Sequence, residues 1–126
     1  MAAQYRLTAS AKADINALLD ESTHRHGQDA RNRYAALLLA ALRRIAQNPE
    51  GGTTAARPEL HPDMRSFHIR HSRTESNTTP VGNPVHVIFY RTTEPGRVEI
   101  IRVLHDRMEP SRYVEPKTNT KRTKRD

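Results

Sequence analysis

Near residue 65 the apolar repeat of this chain changes from helical to alternating, and that switch limits what it can fold into. Before it, Ala11, Ile15, Leu18, Leu19 and Ser22 recur at helical spacing. Ala30, Tyr34, Leu37, Leu38, Ala41, Leu42 and Ile45 then form a wider stripe. After it, Phe67 and Ile69 fall on one face of an extended segment, with Ser66, His68 and Arg70 on the other. Two amphipathic helices followed by several strands must share one core. The fold class expected is α+β, ordered β-α-α-β-β-β, with a helical hairpin packed on one face of an antiparallel sheet.

The punctuation sets the boundaries. Tyr5-Arg6-Leu7-Thr8 alternates and reads as a first strand. Ser10 is the expected N-cap of a helix over 11–25, with Asp14 placed early, where the helix dipole favours a negative charge. Gly27 ends that helix, and Pro49 ends the next, over 28–48. Residues 53–64 read as loop, 65–71 as strand, and the Ser-, Thr- and Asn-rich stretch 72–84 as a surface loop. Strands follow over 85–91 and 98–104, joined by the turn Glu94-Pro95-Gly96. Met108, Pro110 and Tyr113 indicate a final helical turn. Leu18, Leu38, Leu42, Ile45, Val87, Phe89, Ile101 and Val103 are the expected core between hairpin and sheet. Residues 1–114 make one domain, and 115–126 are expected to be a disordered basic tail.

Charge narrows the partners. The 126 residues carry 21 Lys+Arg against 14 Asp+Glu, a net +7. Lys117, Lys121, Arg122, Lys124 and Arg125 against Asp126 place +4 of that in the last ten positions. Such a tail supports a weak, salt-sensitive nucleic-acid contact, without aromatic residues for stacking. There is no Cys, so disulfides and thiolate chemistry are excluded. The chain holds no apolar run of membrane-spanning length, so no membrane association is expected. Seven His without metal-ligand spacing on either helix give no reason to expect a metal site, and no cofactor is implied. His68, His71 and His86 read as surface strand positions.

Several pieces resemble one family. Tyr5 to Thr8 with Ala11, Asp14 and Ile15, then Gly27, Ala30 and Tyr34, then Ile45-Ala46, Pro49 and Gly52, are similar to the RelE/ParE toxin superfamily. So are Arg57-Pro58-Glu59-Leu60, Met64 to Phe67 and His86 to Tyr90. Val98-Glu99-Ile100-Ile101-Arg102-Val103-Leu104-His105, followed by Arg107-Met108, resembles the ParE branch most specifically. The 72–84 loop is longer than the family's usual tight hairpin, and the basic tail has no counterpart in it.

The resemblance implies a bacterial, cytoplasmic toxin of a type II toxin–antitoxin system, of the plasmid-stabilisation type, held inactive by a cognate ParD-like antitoxin. ParE-like members inhibit DNA gyrase by binding, with no catalytic residues; Arg102, Arg107 and Arg112 are then the candidate target contacts. The alternative is a RelE-type, ribosome-dependent mRNA endonuclease. Its chemistry needs a base, an acid and cations for the extra phosphate charge. The candidates for it are Arg65, His68, His105 and Tyr113. His105 reads equally well as a strand-end residue bonded to backbone or to Glu99 or Asp106, and Arg65 as a salt-bridged pin for the preceding loop.

Overall fold

The computed structural model of the chain describes residues 4–114. The tail assigned to 115–126 lies outside them. Strand β1 (Gln4–Leu7) leads into helices α1 (Ala9–His26) and α2 (Gln28–Gln47), followed by β2 (Ala55–Ala56), β3 (Met64–His68), β4 (His86–Glu94) and β5 (Arg97–His105). Short 3₁₀ turns follow β3 and β5.

Gly27 is the whole connection between the helices. Its φ of 90° is open to glycine and strained for any residue with a Cβ. It closes α1 by donating to the Thr23 carbonyl and opens α2 by accepting from Arg31 N–H. α1 starts two residues earlier than Ser10 capping requires. Thr8 is the N-cap, its Oγ1 accepting from Ala11 N–H at 3.1 Å.

The sheet runs β1-β5-β4-β3-β2. It is mixed rather than wholly antiparallel. β1 lies parallel to β5, with Leu7 opposite Ile100, because the helical hairpin carries the chain across the sheet before it returns. β2, two residues inside the segment read as loop, pairs antiparallel with β3. β3 stops at His68, and Ile69–Ser72 turn into 3₁₀ helix. The Pro95-Gly96 turn between β4 and β5 forms as expected, with Gly96 at φ 79°.

The hairpin-facing core contains Leu37, Leu38, Leu42, Ile45, Phe67, Ile69, Ile88, Tyr90, Ile100 and Val103, with Leu18 packed at its margin. Val87, Phe89 and Ile101 do not join it. They lie on the opposite face with Leu60, Met64, Leu104 and Val114. A β-bulge explains part of this. Phe89 pairs with Arg102 but Tyr90 with Ile100, so Ile101 is an extra residue that reverses the alternation along β5. The sheet is thus covered on both faces, by the hairpin in front and by segments 57–64 and 106–114 behind.

β1 ends at Leu7, which leaves the far half of β5 without a strand on that side. Side chains of the helix that follows complete the edge. Thr8 Oγ1 donates to the Ile101 carbonyl at 3.0 Å, and Asp14 accepts from Val103 N–H at 2.9 Å. Asp14 also takes Arg102 Nε at 2.7 Å and Nη2 at 2.8 Å. Asp14 is therefore the anchor of α1 on the sheet, and not only a dipole complement.

Candidate functional site

The antiparallel register sets His86 of β4 opposite His105 of β5, with ring centroids 5.6 Å apart. His86 was expected at the surface, but it is mostly buried against α2. The Tyr34 hydroxyl stands 2.6 Å from its Nδ1 and accepts from Val85 N–H at 3.1 Å. With that lone pair filled, we assign the Tyr34 proton to the bond with His86, which places the His86 hydrogen on Nε2. Burial, with the neighbouring His105 second, lowers the His86 pKa to about 4. Burial likewise pushes Tyr34 up to about 12. Both groups are neutral over the physiological range.

His105 sits at the open end of the same strand pair. Its Nδ1 accepts from Arg107 N–H at 3.1 Å and lies 3.4 Å from Asp106 Oδ1. His68 occupies the other face of the sheet, by alternation with Phe67. Its Nδ1 accepts from Arg70 N–H at 3.1 Å, and its Nε2 stands 2.9 Å from Asp106 Oδ2. Asp106 thus reaches around the sheet end to both rings, and its bond to His68 holds its carboxyl below the usual range.

Arg65 and Tyr113 are elsewhere. Arg65 lies beside Tyr90 and donates from Nη2 to Thr54 Oγ1 at 2.7 Å. It pins the preceding loop through a hydroxyl where a salt bridge was expected. Tyr113 lines a shallow depression on the back face with Arg91, Glu99 and Arg102. The four residues of the nuclease alternative are therefore dispersed over both faces of the sheet.

Of the three target-contact candidates, Arg107 and Arg112 are exposed. Arg102 is held by Asp14, and its Nη1 donates to the Tyr113 carbonyl at 3.0 Å. That bond fixes the segment carrying Arg107 and Arg112 against the back of the sheet, where Val114 is buried. In front, a cleft of about 910 Å³ separates the hairpin from loop 79–85 and the sheet end. Leu18, Ala30 and Val81 form its apolar wall, and Arg25, Arg33, Tyr34, His86 and His105 its polar side. The adjoining Tyr34–His86 pair was not legible from spacing, because 51 residues separate the two.

The model of the family described as the ParE toxin of the type II toxin–antitoxin system parDE matches residues 5–110. This chain belongs to the ParE toxin family. Among curated proteins, Toxin ParE1 of Mycobacterium tuberculosis is 31% identical over 112 residues, covering 89% of this chain and 98% of that protein. Toxin ParE1 of Caulobacter vibrioides is 36% identical over 104 residues, covering 82% and 90%. A solved chromosomal ParDE system from P. aeruginosa superposes with a TM-score of 0.57 at 17% identity, over 82% of this chain and 95% of that one. That likeness supports the ParE fold. Among the described residues of this ParE-family chain, no helix is long and apolar enough to cross a membrane.

Proposed function

We propose that this type II toxin acts by binding, with DNA gyrase as its target and a ParD-like antitoxin as the partner that silences it. The observation that carries this reading is the state of the histidines. His68 and His105 each spend one ring nitrogen on a backbone N–H two residues ahead, and His68 spends the other on Asp106. They lie on opposite faces of the sheet, with Arg65 and Tyr113 apart from both. A base and an acid acting on one phosphodiester must face it together. The binding reading needs only a fixed surface. Arg107 and Arg112 supply its charge, and Arg102 contributes by clamping the segment that carries them. The basic tail adds a sequence-blind nucleic-acid contact.

Expression of single variants in cells tests this. His68→Ala and His105→Ala are expected to stay toxic, and a joint Arg107→Ala, Arg112→Ala variant to lose toxicity. Wild-type toxin should induce the DNA-damage response, block supercoiling by purified gyrase, and be neutralised by co-expressed antitoxin. Ribosome-dependent mRNA cleavage abolished by His105→Ala would replace this reading with the nuclease one.

A further inference from the structure

The binding reading leaves the front cleft unused, yet its polar side is arranged as a donor set. The Nδ1 atoms of His86 and His105 are both filled, by the Tyr34 hydroxyl and by Arg107 N–H. In the neutral rings, the remaining nitrogens carry hydrogen. Both rings line the cleft, so the nitrogens left over are donors rather than bases. Arg33 lines it too, and its guanidinium has no hydrogen-bond or ion-pair partner among the described residues. The acidic lining residue, Glu21, is neutralised by its own ion pair with Arg25. Two imidazole N–H groups, a free guanidinium and an apolar wall make a concave site of ligand size that lacks only an acceptor of negative charge.

We propose that this cleft binds a phosphate group, free or carried on a small nucleotide, through His86, His105 and Arg33. The phosphate takes the imidazole hydrogens and the guanidinium fork. A base or sugar attached to it lies along Leu18, Ala30 and Val81. The Tyr34–His86 bond and the cross-strand pairing fix the donors before the ligand arrives, so little side-chain order is lost on binding.

The test uses the full-length chain, with its imidazole resonances followed during titration with inorganic phosphate, AMP and adenosine. Phosphate and AMP are expected to shift His86 and His105 and to leave His24 in place, with adenosine weaker than AMP. Arg33→Gln should weaken binding about tenfold, the effect of losing one charge-assisted contact, while Arg43→Gln on the same helix changes nothing. AMP tighter than phosphate assigns the site to a nucleotide, and equal affinities assign it to free phosphate; either supports the proposal. No shift, equal shifts at every histidine, or equal losses in the two arginine variants would overturn it. So would an acidic peptide that moves the two resonances when phosphate and AMP do not, since the cleft would then be built for a protein carboxylate. None of these readouts depends on toxicity or on gyrase.

Discussion

Asp14→Ala is the perturbation that most directly probes how the helical hairpin is joined to the sheet. The carboxylate accepts three hydrogen bonds, two from Arg102 and one from Val103 N–H. Removing it leaves a guanidinium and a backbone N–H without that partner beneath α1. The Arg102 and Asp14 side chains are 24% and 14% exposed, so water reaches the ends of the pair and the loss falls below that of a fully buried one. Hydrogen bonds to charged groups contribute roughly 1.5–3 kcal/mol, and an orphaned buried group costs about 1–3 kcal/mol. Solvent access keeps these from adding in full, and the expected cost is about 3 kcal/mol. For a chain of 126 residues that corresponds to a drop of about 10 °C in melting temperature. Thermal and urea unfolding followed by circular dichroism measure it. A double-mutant cycle with Arg102→Ala should show coupling of more than about 1 kcal/mol. Toxicity adds a second reading. If Arg102 acts by holding the C-terminal segment, Asp14→Ala and Arg102→Ala should weaken the toxin together. A cost below about 0.5 kcal/mol with no coupling would refute the anchor, and a fully toxic Asp14→Ala beside a harmless Arg102→Ala would refute the clamp.

Other expectations follow from burial and titration. Ile88→Ala empties a fully buried site facing the hairpin and should cost about 2–5 kcal/mol in urea unfolding. Removing residues 117–126 should leave the melting transition in place, whereas Val114→Ala should lower stability by roughly 2 kcal/mol, because that side chain closes the back face. The His86 resonance should stay fixed from pH 8 to 5.5 and titrate near pH 4. Its folded pKa lies below the unfolded value, so its contribution to stability is present above about pH 6.5 and declines as the pH falls towards 4. A His86 that titrates near pH 6.5 would mean it is not held against Tyr34.

The helical hairpin was legible because Leu37, Leu38, Leu42 and Ile45 repeat over a long helix and Gly27 marks its corner. Four of the five strands were placed to within a few residues, and Phe67, Ile69 and Val103 face the hairpin as expected, but β2 was missed and three core residues were put on the wrong face. Val87, Phe89 and Ile101 look identical to core residues in one dimension. The few apolar residues that cover them, Leu60, Met64, Met108 and Val114, sit in a segment that read as loop and around a short final turn, neither of which carries a periodic apolar pattern. The Ile101 bulge has no local signature, and a two-residue strand such as β2 is too short to carry a period. The side-chain contacts around the histidines were not legible for a related reason. Spacing lists histidines; it cannot show that Tyr34 bonds His86, or that Asp106 bridges two faces of a sheet. Arg102 was singled out as a surface contact; its bonds to Asp14 and the Tyr113 carbonyl make it an internal clamp, a use the same charge suits equally well.

The parallel pairing of β1 with β5 has a consequence for the order of synthesis. Residues 4–7 find their sheet partners only in residues 97–100, which leave the ribosome much later. At about 5–20 residues per second, the first strand waits roughly 5–20 seconds for the last one. Helical pairing needs no such delay, so α1 and α2 can close on each other while the sheet is still missing. Chains stalled before residue 97 should therefore show helix without protection of the β1 amides. The surface bearing Arg107 and Arg112 follows β5, the strand that completes the pairing of β1. A cell making this toxin thus has, in every round of translation, an interval in which both helices are built and the charged surface that follows β5 is not.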